Sequence, residues 1–117
     1  VLEQFRVFKE NLAATRSTFE SLPTETAYGY GASQILPTLI YHMGLDPSIF
    51  KFVLDDDPGK DGLYYWNLPI QVRVPDETMK LENAKVMITA VDHTRAIMRT
   101  LASKNPPKDI VIPAVTF

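Results

Sequence analysis

Between Leu2 and Leu22 the apolar positions Phe5, Phe8, Leu12, Phe19 and Leu22 recur at helical spacing, with Glu3, Arg6, Lys9, Glu10 and Arg16 on the opposite face. That periodicity predicts an amphipathic helix with one buried stripe. Pro23 ends it, because the residue before a proline avoids helical angles. The polar face mixes both signs of charge, which favours a packing helix over a membrane-surface helix. Beyond Pro23 the pattern changes to short continuous apolar runs separated by turn residues. Glu25 to Tyr30 reads as a strand, and Gln34 to Met43 as a helix with Ile35, Leu36, Leu39, Ile40 and Met43 as its apolar positions. Pro37 fits only in the first turn of that helix, where a missing N–H costs least. Gly44 is placed to terminate it. Asp46-Pro47 has the form of a cap followed by a short helical turn.

Phe50 to Leu54 reads as a second strand that runs into the turn cluster Asp55-Asp56-Asp57-Pro58-Gly59. A third strand is expected over Ile70 to Val74, followed by a helical turn opened by Pro75-Asp76-Glu77. Lys85 to Ala90 is an apolar run with the character of a buried parallel strand. Asp92 is then expected to cap a helix that runs to about Ser103, with Ala96, Ile97 and Leu101 turned inward. Asn105-Pro106-Pro107 breaks it, and a last strand is expected from Asp109 to Ile112, the chain ending at Phe117.

Strands that alternate with helices predict an α/β fold. With right-handed crossovers, the expectation is a Rossmann-like, doubly wound, mostly parallel sheet of about five strands with helices on both faces. The organisation is then a packing helix over residues 1–22 and a sheet domain over 23–117, with the boundary at Ser21-Leu22-Pro23-Thr24. Together they form one domain, as the 117-residue length suggests.

Charge and composition narrow the possible functions. Twelve basic against 14 acidic residues give a net charge of −2, with no clustered basic face of the kind a duplex binder needs. No run approaches the ~18 apolar residues of a membrane span. The chain has no cysteine, which removes disulfides, thiolate metal sites and cysteine nucleophiles and fits a reducing cytoplasm. It begins with valine, so a piece of a longer or processed protein is expected.

The first strand–helix turn, Tyr28-Gly29-Tyr30-Gly31-Ala32-Ser33, is the leading candidate for ligand chemistry. In open α/β sheets, ligands bind outside the carboxyl ends of the strands, and a glycine turn that opens a helix presents backbone N–H groups to an anion. The bland alternative is a tight turn at Gly31 with Ser33 as a helix cap. A dinucleotide fingerprint would need a third glycine where Gln34 stands. Asp55, at the end of the second strand, is where dinucleotide folds hold a ribose hydroxyl, although Asp57-Pro58-Gly59 also makes an ordinary solvated turn. Tyr64, Tyr65 and Trp66 form an aromatic run that cannot all face one way, so at least one is structural. His93, beside Asp92, opens a helix at a ligand-facing position; residues adjacent in sequence on a helix do not face each other, which weighs against an acid–base pair. Two histidines alone make no metal site.

The segments AYGYGAS and FVLDDDPGKDGLYYWNLPIQV resemble the C-terminal domain of S-adenosylmethionine-dependent C-methyltransferases that act on nucleotide-linked deoxysugars. The residues that carry the resemblance are Tyr30, Gly31, Ala32 and Ser33; then Asp55, Pro58, Lys60, Gly62 and Tyr64; then Pro69-Ile70. The chain departs from the family pattern where Gln34 and Ile35 replace lysine and glycine, where Asp57 replaces asparagine, and where Val91-Asp92 replaces a Trp-Asn pair. The resemblance implies a substrate-side domain in which Gly31, Ala32 and Ser33 supply donors, Asp55 and Lys60 contact ribose, sugar or phosphate, and Tyr64 packs beside them. It implies further that S-adenosylmethionine, zinc and the catalytic residues belong to other domains of a parent enzyme, so that this chain alone is inactive. Partners would then be a nucleotide sugar, those other domains and a second copy of the chain. Two alternatives stand beside it. One is a non-catalytic packing or oligomerisation module, favoured by Gln34, Ile35 and Val91. The other is a small NAD(P)-binding oxidoreductase domain.

Overall fold

The computed structural model describes residues 2–103 and 106–113. Five strands, β1 (Ala27–Tyr30), β2 (Phe52–Leu54), β3 (Val72–Arg73), β4 (Lys85–Ile88) and β5 (Asp109–Val111), form one sheet in the order β3-β2-β1-β4-β5. All four pairings are parallel, with Tyr28 opposite both Phe52 and Val86. The helices are α1 (Leu2–Ser21), α2 (Leu36–Met43) and α3 (Thr94–Ser103). The chain therefore winds outward from β1 through β2 to β3, then returns to the other side of β1 with β4 and β5. This is the doubly wound α/β arrangement, and its topological switch point lies between β1 and β4.

Alternation along each strand divides the core in two. Ala27, Val53 and Met87 face α1 and α2, where Leu12, Phe19, Leu36 and Leu39 are buried against them. Tyr28, Tyr30, Leu54, Val86 and Ile88 face α3, which contributes Ile97 and Leu101. Burying a side chain such as Leu12 or Phe19 stabilises the fold by roughly 1.5–3 kcal/mol. The 20-residue α1 thus packs into the same core as α2 and the sheet.

Several boundaries follow the expected local chemistry. Pro37 sits in the first turn of α2, and Gly44 ends that helix with φ at 70°, its N–H donating to the carbonyls of Ile40 and Tyr41. Asp46 accepts from the Ser48 N–H to cap a short 3-10 turn. Other boundaries differ. Asp92 does not cap α3; it lies inside a 3-10 turn over Val91–His93, and Thr94 opens the helix with its hydroxyl donating to the Val91 carbonyl. Ala96 is exposed, while Met98 packs partly into the core. Between β3 and β4 there are only two 3-10 turns, Glu77–Met79 and Leu81–Asn83, of which Asp76 caps the first. The third strand keeps two ladder residues of the expected five because Val74 turns away, its N–H donating to Asp61. Residues 62–65 run back along β3, with Gly62 N–H donating to the Val72 carbonyl and Val72 N–H to Leu63, so this edge of the sheet is covered. Asn105 and residues 114–117, expected as part of the helix break and the chain end, lie outside the described residues.

Candidate functional site

At the switch point β1 and β4 approach so closely that only glycine fits after β1. Gly31 has φ at +105°, and a Cβ there would stand 2.3 Å from the Ala90 Cβ. The contact is locked by hydrogen bonds in both directions. Thr89, fully buried, donates its hydroxyl to the Gly31 carbonyl at 2.6 Å, and Ser33 donates its hydroxyl to the Thr89 carbonyl at 3.1 Å. The Ser33 hydroxyl is thus a strand-to-strand tie rather than a cap for α2, whose N-cap position is Ile35.

The turn after β2 fastens to the same place. Asp55 accepts from the Ala32 N–H with one carboxylate oxygen and from the Asp57 N–H with the other, each at 2.9 Å. Lys60 stands 3.6 Å from Asp55 and donates to the Ala32 carbonyl at 3.3 Å. Gly31 N–H donates to Leu54 at 2.6 Å, and Ser33 N–H to the Gly31 carbonyl at 3.1 Å. The backbone donors of Gly31, Ala32 and Ser33 are therefore already engaged within the chain. Lys60 keeps donor capacity for an anion at this turn, since the ammonium has three hydrogens and stays partly exposed.

Two clefts open on either side of Lys60. The first, about 240 Å³, is walled by Ala32, Ser33 and Gln34 on one side and by Leu63, Tyr64 and Tyr65 on the other. Tyr65 is the structural member of the aromatic run. Its hydroxyl donates to the Ser33 carbonyl at 2.7 Å, and burial together with the Asp55 charge pushes its pKa up to about 12. Tyr64 and Trp66 point outward, at 67% and 95% exposure.

The second cleft, about 250 Å³, lies between the β2 turn and α3. Asp55, Asp56, Lys60 and His93 supply its polar groups, and Ala90, Ala96 and Ile97 its apolar side. Tyr30 donates its hydroxyl to Asp56 at 2.5 Å, and burial first, then that carboxylate, raises the phenol's pKa far above its ordinary value. The six residues singled out from the sequence divide between the clefts: Ala32, Ser33 and Tyr64 line the first, Gly31 and Asp55 the second, and Lys60 both. Sequence reasoning placed Tyr30 in the candidate turn without a role of its own, and missed Asp56 and Thr100 as cleft residues. The DDD run did hold a signal, because consecutive aspartates after a strand cannot all turn the same way.

No group of three or more His, Asp or Glu side chains that could hold a metal ion is found among the described residues. No helix among them is long and apolar enough to cross a membrane. A search of curated proteins returns no match. The family model for the C-methyltransferase C-terminal domain matches residues 2–111, from α1 through β5. The chain belongs to that family.

Proposed function

We propose that this C-methyltransferase C-terminal domain holds a nucleotide-linked deoxysugar for methylation by a parent enzyme. The observation that carries the reading is convergence: residues 31–33, 55–60 and 64–65, far apart in sequence, meet around one partly exposed lysine at the C-terminal edge of a parallel sheet. That edge is where α/β sheets take their ligands. Lys60 meets the diphosphate, Tyr64 offers a flat apolar face beside it, and Asp55 keeps the turn and the lysine in place. Gly31, Ala32 and Ser33 shape the wall of the site through their mutual ties to Thr89 and Asp55. The methyl donor, S-adenosylmethionine, and a zinc-binding module belong to other domains. Those domains supply the chemistry, in which a ring carbon next to a keto group is deprotonated and attacks the donor methyl. This chain alone has no turnover, and its lack of cysteine suits the cytoplasm as the compartment. The engaged N–H groups of the glycine turn weigh against the dinucleotide reading, which requires them for a pyrophosphate.

The test is a titration of the isolated chain followed by amide chemical shifts, with a thymidine-diphosphate sugar as ligand and S-adenosylmethionine and NAD as controls. A half site binds in the millimolar range, about 4 kcal/mol. Saturable shifts over Gly31–Ser33 and Asp55–Tyr64 from the sugar nucleotide alone are expected. The same shifts from NAD, or none at any concentration, would remove this reading. A second reading, a packing module, is favoured by the adjacent exposure of Leu63, Tyr64 and Trp66 at 55%, 67% and 95%. Aromatic anchors of this kind mark interfaces. Concentration-dependent sedimentation abolished by Trp66→Ala would support it.

A further inference from the structure

The two carboxylates that line the α3 cleft differ in how much hydrogen-bonding capacity they have left. Asp55 has each oxygen engaged by a backbone N–H and faces Lys60. Asp56 takes only the Tyr30 hydroxyl, on one oxygen, and its other oxygen has no partner among the described residues. Tyr30 is buried and spans from the sheet to Asp56, so it fixes the direction of that carboxylate. The His93 ring lines the same cleft, exposed and without a hydrogen-bond partner among the described residues. Ala96 and Ile97 give the cleft an apolar side between these polar groups.

A carboxylate with a free oxygen and an imidazole, set over an apolar surface, suits a neutral hydroxylated ring. Hydroxyls donate to the carboxylate in short charge-assisted bonds. An anion is disfavoured here, because two carboxylates face one ammonium; the cleft beside Tyr64 and Tyr65 has Lys60 without a carboxylate in its wall. We propose that Asp56, oriented by Tyr30, and His93 form a hydroxyl-reading subsite that selects the ligand by a hydroxylated ring, while the phosphates lie on the Tyr64 side of Lys60. The inference rests on the nucleotide-sugar reading and adds which residues recognise the ring.

The experiment titrates the 117-residue chain with thymidine diphosphate, uridine diphosphate and thymidine-diphosphate glucose and follows amide shifts. All three are expected to shift residues 60–65. Shifts at His93, Ala96 and Thr100 are expected from the probe that carries the recognised ring: from uridine diphosphate if the ring is ribose with its two hydroxyls, from the glucose conjugate if it is the sugar. Asp56→Asn weakens that probe about ten-fold, equivalent to 1.4 kcal/mol, and leaves thymidine diphosphate within about two-fold. Asp56 is exposed, so the variant folds; His93→Ala is a second variant with the same expected pattern. Shifts at residues 60–65 with none near His93, or equal weakening of all three probes by Asp56→Asn, would overturn the subsite alone. No shift from any probe would overturn the nucleotide-sugar reading and the subsite with it.

Discussion

Two lysines stand at opposite ends of the sheet and do opposite things. Lys85, at the start of β4, is 4% exposed. Its ammonium donates to the carbonyls of Phe19 and Leu22 at 2.7 and 3.4 Å and lies 4.8 Å over the Phe19 ring. These are carbonyls at and just beyond the end of α1, which lack the regular i+4 partner of a helix interior and carry the negative end of its dipole. Lys85 therefore anchors α1 to the sheet, with its partners inside the chain and almost no solvent exposure. Lys60, at the carboxyl end, has a side chain 43% exposed, a loose pair with Asp55, and room on both sides. The difference separates structure from site. A buried cation with all its partners inside the chain holds the fold, whereas a half-exposed cation between two clefts suits the proposed ligand contact.

The comparison predicts unequal costs. The largest falls on Lys85→Ala. It takes the ammonium donor from the Phe19 and Leu22 carbonyls, leaving Phe19 with only the long Leu22 N–H bond, and opens a hole beside the Phe19 ring, for a loss of about 4 kcal/mol in the free energy of urea unfolding. A loss under about 1 kcal/mol would mean that α1 is held by its apolar stripe alone. Next is Gly31→Ala, at the carboxyl end. A Cβ 2.3 Å from Ala90, on a backbone at φ +105°, costs about 3 kcal/mol. Equilibrium unfolding measures it, and a near-neutral result would show that β1 and β4 are free to part at the switch point.

Much of this was legible in the sequence, and the limits have physical causes. Strand positions and the parallel class followed from apolar runs bounded by polar residues, as in KVMITA. The helix ends at Gly44 and Pro37 followed from backbone restrictions that belong to single residues. Asp92 misled because a cap signal is local, whereas the start of α3 is set by the 3-10 turn that carries the chain off β4. Lys85 was hidden in an apolar run, since nothing in its own neighbourhood says that the end of α1 lies above it. The same limit applies at the site. Asp55 was chosen for its place at the strand end, but the tie from Ala32 comes through tertiary contact; with the local tie from Asp57 it leaves Asp56 as the carboxylate with a free oxygen.

A smaller effect tests the wall between the two regimes. Tyr65 donates to the Ser33 carbonyl from a partly buried position. Tyr65→Phe is expected to cost about 1 kcal/mol at neutral pH. Its phenol keeps its proton in the folded chain to about pH 12 against 10.0 when unfolded. Above pH 10 the unfolded state therefore holds fewer protons than the folded one, and stability falls as pH rises toward 12. The gap between parent and variant should narrow over that window in denaturant curves recorded at pH 8 and pH 11. A gap that widens would contradict the placement of the phenol.

The smallest stability effect and the sharpest contrast belong to Lys60→Met. A loose pair at 3.6 Å with one partner 43% exposed contributes about 0.5 kcal/mol or less, because solvent screens it and the long side chain loses entropy when held. Asp55 keeps its two backbone donors in the variant, so the turn after β2 stays formed. Unfolding curves of variant and parent should nearly superimpose. Binding should not: a charged hydrogen bond to phosphate contributes roughly 1.5–3 kcal/mol, so the affinity for thymidine diphosphate should drop at least about ten-fold. Loss of stability with affinity intact would invert the comparison and make Lys60 a second anchor like Lys85. Loss of affinity with stability intact is the signature of a residue whose partner comes from outside the chain.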